Sequence, residues 1–505
     1  MHRAISLTTI CLTAMLSSTT HAETQDPSLL RLIPFPKQVQ LQPGRFNLDR
    51  PLVLEIPTET GPLLSQLIND EFERLGLDKP TTKLRDDLHD TLRLAPTPGA
   101  TQTKPVFDSK LRQEDHNLNI TPETITITAS ATAGLCHGTQ TLCQLIRANT
   151  TDKHLPCLTI LDYPSIRWRA FQDDLTRGPS TTLNNLQRQV ALGAGLKMNL
   201  FAYYMEYQYA FEKHPSIGPK DGSLTPQELR SLVTFAKPYN VQILGSQQSF
   251  AHLNRVLTPE KGYDHLRETP NIITPAKEET YQFLNDLYAE VVPLLTLPFF
   301  NICCDETQGL GTGPAKDLVA KIGEGGVYVQ HMKRLHALLR DNYGKRMMMW
   351  GDIILRHQGE LSDIPTDTIM LTWGYEPLQS FDHRIAPFVQ GGYEFFVCPG
   401  VSCWNRILPD FNKAVTNIQN FVRDGARFGA LGVLNTAWDD NGENFNAPNW
   451  HGYAWGAECA WNASATSIEA FNRRIGAVLF GEKNDHFGRA IALLAQTHYL
   501  SLIHI

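Results

Sequence analysis

The sequence predicts a (β/α)8 barrel over residues 161–505, preceded by a small α+β accessory domain over residues 23–160. Three observations carry this. From Trp168 onward, eight short apolar runs alternate with segments of helical pattern. The runs are continuous in hydrophobicity, so each strand is buried on both faces, as a closed parallel barrel requires. All eight tryptophans of the 505-residue chain lie at or beyond Trp168, so the two parts of the chain do different work.

Residues 1–22 read as a secretory signal: His2 and Arg3 start it, Ala4 to Leu16 is largely apolar, and Thr20-His21-Ala22 offers a small-residue cleavage site. The mature protein is therefore expected to be exported, periplasmic or extracellular. No later stretch approaches ~18 uninterrupted apolar residues, so no membrane span is expected in the mature chain. The formal net charge is −7 and no Lys/Arg run occurs, which argues against a nucleic-acid partner, because neutralising phosphates needs clustered cations. Of nine cysteines, Cys11 lies in the signal, and the even remainder would permit disulfides, with Cys398 and Cys403 the nearest plausible pair. Cys303 and Cys304 sit in an apolar run and read as small buried hydrophobes. Without CxxC or HExxH spacing, no metal site is expected.

In the accessory domain, Leu52 to Ile56 and Glu123 to Ala129 read as strands, and Gly61 to Leu77 and Ala133 to Arg147 as helices. The eight barrel runs are Trp168 to Asp173, Lys197 to Tyr204, Val241 to Gly245, Phe299 to Asp305, Arg346 to Gly351, Thr368 to Trp373, Glu394 to Cys398 and Leu431 to Ala437. Thr225-Pro226-Gln227-Glu228 has capping-box spacing with proline at the first helical position. Gly344 closes the helix that carries Tyr328 to Leu339.

Active sites of such barrels are built at the C-terminal ends of the strands. Trp350 closes the fifth run, Trp373 the sixth, Trp404 follows the seventh and Trp438 the eighth, so four consecutive strands deliver an indole to one rim. A single tryptophan is as often core filler. Four at equivalent positions suit a ligand with a flat apolar face and polar edges, such as a pyranose ring. The fourth run ends Cys304-Asp305-Glu306, two adjacent carboxylates at the same rim. Most Asp-Glu dipeptides are surface pairs; this one follows six buried-type residues. Crowding pushes the two pKa values apart, leaving one donor and one anion. Adjacent carboxylates cannot straddle a glycosidic bond at the ~5 to 5.5 Å that a retaining acid and nucleophile need, so the substrate would have to supply one partner.

These residues resemble the glycoside hydrolase family 20 β-N-acetylhexosaminidases. The family's opening Trp-Arg, Asp and Arg match Trp168-Arg169, Asp174 and Arg177. Of its His-x-Gly-Gly-Asp-Glu strand end, Asn301 to Glu306 keeps the last two positions, while Asn301 stands for the histidine and Cys303 and Cys304 for the glycines. His252 matches a third-strand histidine, and Trp455-Gly456-Ala457-Glu458 through Trp461 looks like a closing Gly-x-Glu and Trp motif. The segment opening Leu32-Ile33-Pro34-Phe35-Pro36 resembles the family's accessory domain.

The resemblance implies a retaining, substrate-assisted exo-β-N-acetylhexosaminidase acting without metal or organic cofactor on glycans with terminal N-acetylhexosamine. It implies that Glu306 is the general acid/base and that Asp305 orients the 2-acetamido group. Arg169 would bind the outer hydroxyls, and Trp350, Trp373 and Trp461 would wall the pocket. His252 would support Glu306, with Glu206 as its second carboxylate. Tyr375 is the nearest candidate for the acetamido oxygen, while Asp439, Asp440 or Glu443, just past Trp438, would reach O4 and O6. Two readings compete. One is a barrel glycosidase with a direct nucleophile at Asp174 or Glu458; the other is a non-catalytic N-acetylhexosamine-binding barrel, motivated by Asn301 and the two cysteines.

Overall fold

The computed structural model describes residues 26–88, 91–96, 113–179 and 181–497, so the signal-like segment lies outside the described residues. Seven strands make the accessory sheet: β1 (Gln38–Asn47), β2 (Val53–Pro57), β3 (Thr81–Arg85), β4 (Thr91–Ala95), β5 (His116–Ile120), β6 (Ile125–Ala129) and β7 (His154–Asp162). Their order is β1-β7-β5-β6-β4-β2-β3, antiparallel except for β2 beside β3. Alternation along the strands puts Leu92, Leu94, Leu118, Ile120, Ile125 and Ile127 into one core with Leu64, Ile68 and Phe72 of helix α1 (Gly61–Arg74) and Leu135, Leu142 and Ile146 of helix α2 (Thr132–Asn149). Close packing fixes Gly138 of α2, because a Cβ there would meet Ile127 Cγ2 at 2.4 Å.

The second sheet is the barrel. Its strands are β8 (Trp168–Asp174), β9 (Leu200–Tyr204), β10 (Gln242–Leu244), β11 (Phe299–Asn301), β12 (Arg346–Trp350), β13 (Ile369–Trp373), β14 (Glu394–Cys398) and β15 (Gly432–Thr436), each falling within or against one expected run. Neighbours are parallel throughout, and the Ser246–Asn301 bridge joins the β10 and β11 edges to close the ring. Helices follow the strands in turn: α3 (Leu183–Gly195), α4 (Pro226–Ala236), α5 (Glu278–Val291), α6 (Lys316–Tyr343), α7 (Asp352–Arg356), α8 (Asp382–Gln390), α9 (Phe411–Arg427) and α10 (Asn446–Trp461), with α11 (Ile468–Phe480) and α12 (His486–Leu494) after them.

The continuous apolar runs now have a reason. One set of alternate residues, including Ala170, Leu200, Ala202, Leu244, Phe299, Met348, Leu371, Phe396 and Leu434, fills the barrel interior. The other set, including Phe171, Phe201, Ile243, Phe300, Met347, Met370, Val397 and Val433, packs outward on the helices. The expected capping box starts α4: Thr225 Oγ1 accepts the Glu228 N–H at 3.2 Å and Glu228 Oε2 accepts the Thr225 N–H at 2.9 Å, worth about 1 kcal/mol in such caps. Gly344 ends α6 in the left-handed region at φ +63°. The expected strand through Asp305 stops instead at Asn301, because Cys303 and Cys304 turn left-handed at φ +61° and +67°.

Trp168, without a functional reading from sequence, sits at the start of β8 and packs edge-on against Phe299 at 5.8 Å, at the barrel's N-terminal end. Trp450 fills the space between β8 and α10 against Phe171 and Tyr453. All eight described cysteines are buried free thiols, which corrects the expected Cys398–Cys403 pair. Cys398 points into the barrel interior and Cys403 outward, its thiol donating to the Trp438 carbonyl at 3.3 Å.

Candidate active site

Every barrel strand contributes to one pocket of about 250 Å³ at the C-terminal rim. Arg177 follows β8, Tyr204 ends β9, His252 follows β10, Asp305 and Glu306 follow β11, and Trp350 ends β12. Trp373 and Tyr375 come from β13, Trp404 from the segment after β14, and Trp438 and Asp440 from that after β15. Small-molecule pockets usually run ~300 to 1,000 Å³, so this one holds a single ring rather than a chain.

His252 lies between the two adjacent carboxylates, with Nε2 at 3.3 Å from Asp305 Oδ2 and 3.4 Å from Glu306 Oε2. Burial opposes its charge, but Asp305, then Glu206 and Glu306, outweigh that and raise the imidazole to about 9. Asp305 answers in the other direction. Its burial favours the neutral acid, yet the His252 charge and the Gln248 amide, which donates to Oδ1 at 3.1 Å, hold the carboxyl below its ordinary value. Gln248 also donates to the Tyr204 hydroxyl at 3.0 Å, which donates to Glu206 Oε1 at 2.9 Å. Glu206 thus stands 4.0 Å behind His252 Nδ1, close to its expected place. The carboxyl pushed up beside Asp305 is a third one, Asp352, raised to about 7 by burial and the Asp305 charge.

The walls are aromatic. Trp373 stacks on Tyr375 at 5.1 Å, Tyr375 meets Trp404 at 4.8 Å, and Trp350 meets Trp438 at 6.0 Å. The Tyr375 hydroxyl accepts the Trp438 Nε1 proton at 2.8 Å, which fixes both rings. The far end is polar: Arg177 is ion-paired with Asp440, is held by Asp174 Oδ2 at 2.7 Å, and lies over the Trp438 ring at 5.1 Å. Asp174 is therefore a support for Arg177. Among the described residues, no group of three or more His, Cys, Asp or Glu is placed to hold a metal ion.

Three expected sugar contacts do not reach this pocket. Arg169 lies near the start of β8, 2% exposed, where it donates to Glu114 at 2.7 and 3.0 Å and to the Lys197 carbonyl at 2.8 Å. It joins the two domains, and Arg177 stands at the rim in its stead. Trp461 is fully buried in α10, with its indole on the Arg169 guanidinium at 5.0 Å and its Nε1 donating to Asp162 at 2.7 Å. Asp439 turns away beneath Gly178, takes the Asn444 amide at 2.6 Å, and is raised by burial to about 7, while Asp440 faces the pocket. Arg177 was legible as the arginine three residues beyond Asp174. Asp352 gave no signal, since an acidic residue two past a strand tryptophan has no distinctive pattern.

A (β/α)8 barrel whose rim presents adjacent carboxylates in an indole-walled pocket places the chain among the barrel glycosyl hydrolases. Within that class the chain belongs to glycosyl hydrolase family 20: residues 29–163 match the family's domain 2 and residues 167–404 its catalytic domain. It is 21% identical over 395 residues to a β-hexosaminidase of Vibrio furnissii, across 69% of this chain and 60% of that protein. It is 25% identical over 224 residues to a chitooligosaccharidolytic β-N-acetylglucosaminidase of Ostrinia furnacalis, across 39% of this chain and 37% of that one. The chain thus spans 60% and 37% of the length of these two relatives. Among solved structures, the chitobiase of Flavobacterium johnsoniae superposes with a TM-score of 0.74 at 20% identity, over 92% of this chain and 75% of its own. An N-acetyl-β-hexosaminidase of Streptomyces plicatus, in complex with Thio-NAglucal, gives 0.67 at 18%, over 90% and 94%.

Proposed function

We propose that this chain is a retaining, substrate-assisted exo-β-N-acetylhexosaminidase that removes terminal β-linked GlcNAc or GalNAc. One observation carries the reading: Asp305 and Glu306 share a pocket sized for one sugar ring, and the other carboxylate lining it, Asp440, is tied to Arg177. Among the described lining residues, no carboxylate outside the adjacent pair is free to act as a direct nucleophile. Asp174 is engaged by Arg177, and Glu458 is buried in α10 against the Phe35 amide, so neither lines the pocket.

In this reading the acetamido carbonyl oxygen attacks C1 while Glu306 gives its proton to the departing glycosidic oxygen, so the C1–O bond breaks as the ring of the oxazolinium closes. Asp305, kept anionic by His252, faces the positive charge that develops on the acetamido group. Water then adds to C1, Glu306 takes its proton, and the oxazolinium reopens with the original configuration. In the same reading Tyr375, which lines the pocket, meets the acetamido oxygen, the indoles stack on the ring, and Arg177 with Asp440 closes the far end over the outer hydroxyls. That closure fits exo action on a chain terminus. Signal-like residues 1–22 support export to periplasm or medium, which N-terminal sequencing of the natural protein would test.

The deciding measurement compares aryl β-GlcNAc, β-GalNAc and β-glucose glycosides. Turnover of an N-acetyl substrate with essentially none of the plain glucoside is expected. Comparable turnover of the glucoside would overturn substrate assistance, and binding without hydrolysis would mark a sugar-binding barrel.

A further inference from the structure

The carboxylates ride on a segment whose backbone is unusual. Cys303, Cys304 and Glu306 all lie in the left-handed region, at φ +61°, +67° and +51°. Non-glycine residues adopt it rarely and keep it only where surrounding structure imposes it. The imposing contacts are individually visible. Asn301 Oδ1 accepts the Cys303 N–H at 2.9 Å, the Trp350 N–H donates to the Cys303 carbonyl at 3.0 Å, and the Tyr328 hydroxyl donates to the Cys304 carbonyl at 3.0 Å. These three hold the approach to the catalytic pair. The peptide of Glu306 itself is held by Asp352, whose Oδ2 accepts the Glu306 N–H at 3.2 Å.

Asp352 opens the short helix α7, is 8% exposed, and does not line the pocket. It therefore cannot touch a sugar there, and its carboxylate serves the catalytic backbone and the neighbouring Trp373 indole. We infer that Asp352 is a positioning residue: by accepting the Glu306 amide proton it holds Glu306 in its left-handed conformation and so sets the direction in which the acid side chain enters the pocket. The Glu306 side chain is 46% exposed, so backbone conformation rather than packing aims it. A neutral acceptor at the same place would serve, since the requirement is a lone pair facing the N–H.

This rests on the hydrolysis proposed above, and the test separates the two. Asp352→Ala removes the acceptor and Asp352→Asn keeps one. The alanine variant is expected to lose kcat on the order of 10²-fold, the scale of a 1 Å misplacement of a catalytic group, with KM changed by less than about threefold. The asparagine variant is expected to recover kcat to within about threefold of wild type. A loss expressed in KM alone, near-wild-type kcat in the alanine variant, or an asparagine variant no better than alanine would overturn the inference. Should alanine not fold, the asparagine variant decides: kcat within threefold supports positioning and a tenfold or greater loss overturns it. An inactive wild type would count against the proposed hydrolysis alone. In that case crystal structures carry the test, which expects Glu306 to leave φ near +50° in the alanine variant but not in the asparagine one.

Discussion

His252 Nε2 stands 3.3 Å from Asp305 Oδ2, in an ion pair that keeps a partly buried aspartate anionic and a partly buried histidine charged. The same nitrogen is 3.4 Å from Glu306 Oε2. One imidazolium thus couples the group proposed to steady the intermediate with the group proposed to move the proton.

Glu306→Gln should lower kcat on the aryl N-acetylglucosaminide by on the order of 10² to 10⁴, the usual contribution of a general acid/base. Asp305→Asn should cost a comparable factor, because an amide cannot offset the oxazolinium charge. Steady-state kinetics on folded variants checks both, and near-wild-type turnover in either would sink the mechanism.

The His252 pKa, raised to about 9, has a consequence for stability. The folded state holds this proton more tightly than the unfolded chain, whose histidine titrates near 6.5. The ion pair's contribution is therefore complete below about pH 6.5 and fades as pH rises through about 9. The difference in melting temperature between wild type and His252→Gln should be largest at pH 6 and should shrink by pH 9.5. A difference that grows with pH would contradict the charged pair.

Arg169 and Arg177 should fail in different ways. Arg169→Met removes the guanidinium from Glu114 at the domain junction, leaving it only His137 and Asn199, and should cost about 3 to 5 kcal/mol of stability, with the KM of the folded protein little changed. Arg177→Met leaves the buried Asp174 without its cation, so it should also cost stability, but it should in addition lower kcat/KM of the folded protein by about 1.5 to 3 kcal/mol, the worth of a charged hydrogen bond to the substrate hydroxyls. Chemical denaturation and kinetics on the same two variants distinguish these outcomes.

The barrel, its eight strands, the rim indoles and the adjacent carboxylates were legible in the chain before any fold was known. Each is written locally: a strand buried on both faces is apolar at every position, and a residue at a strand's C-terminal end goes to the rim wherever the strand stands in the ring. The segment from Phe299 to Glu306 shows both rules at once.

Tertiary structure decided the rest, because the remaining questions turn on which end and which face a side chain occupies. Arg169 and Asp174 belong to one strand, yet five residues at ~3.3 Å each put about 17 Å between the domain junction and the rim. Neighbours Asp439 and Asp440 part at a turn, one going beneath Gly178 and the other to the pocket. Asp352 meets the Glu306 backbone across 46 residues of chain, which no local pattern encodes. Trp461 has the composition of a pocket wall, but the accessory domain covers it, and that burial exists only once Asp162, Arg169 and the indole are brought together.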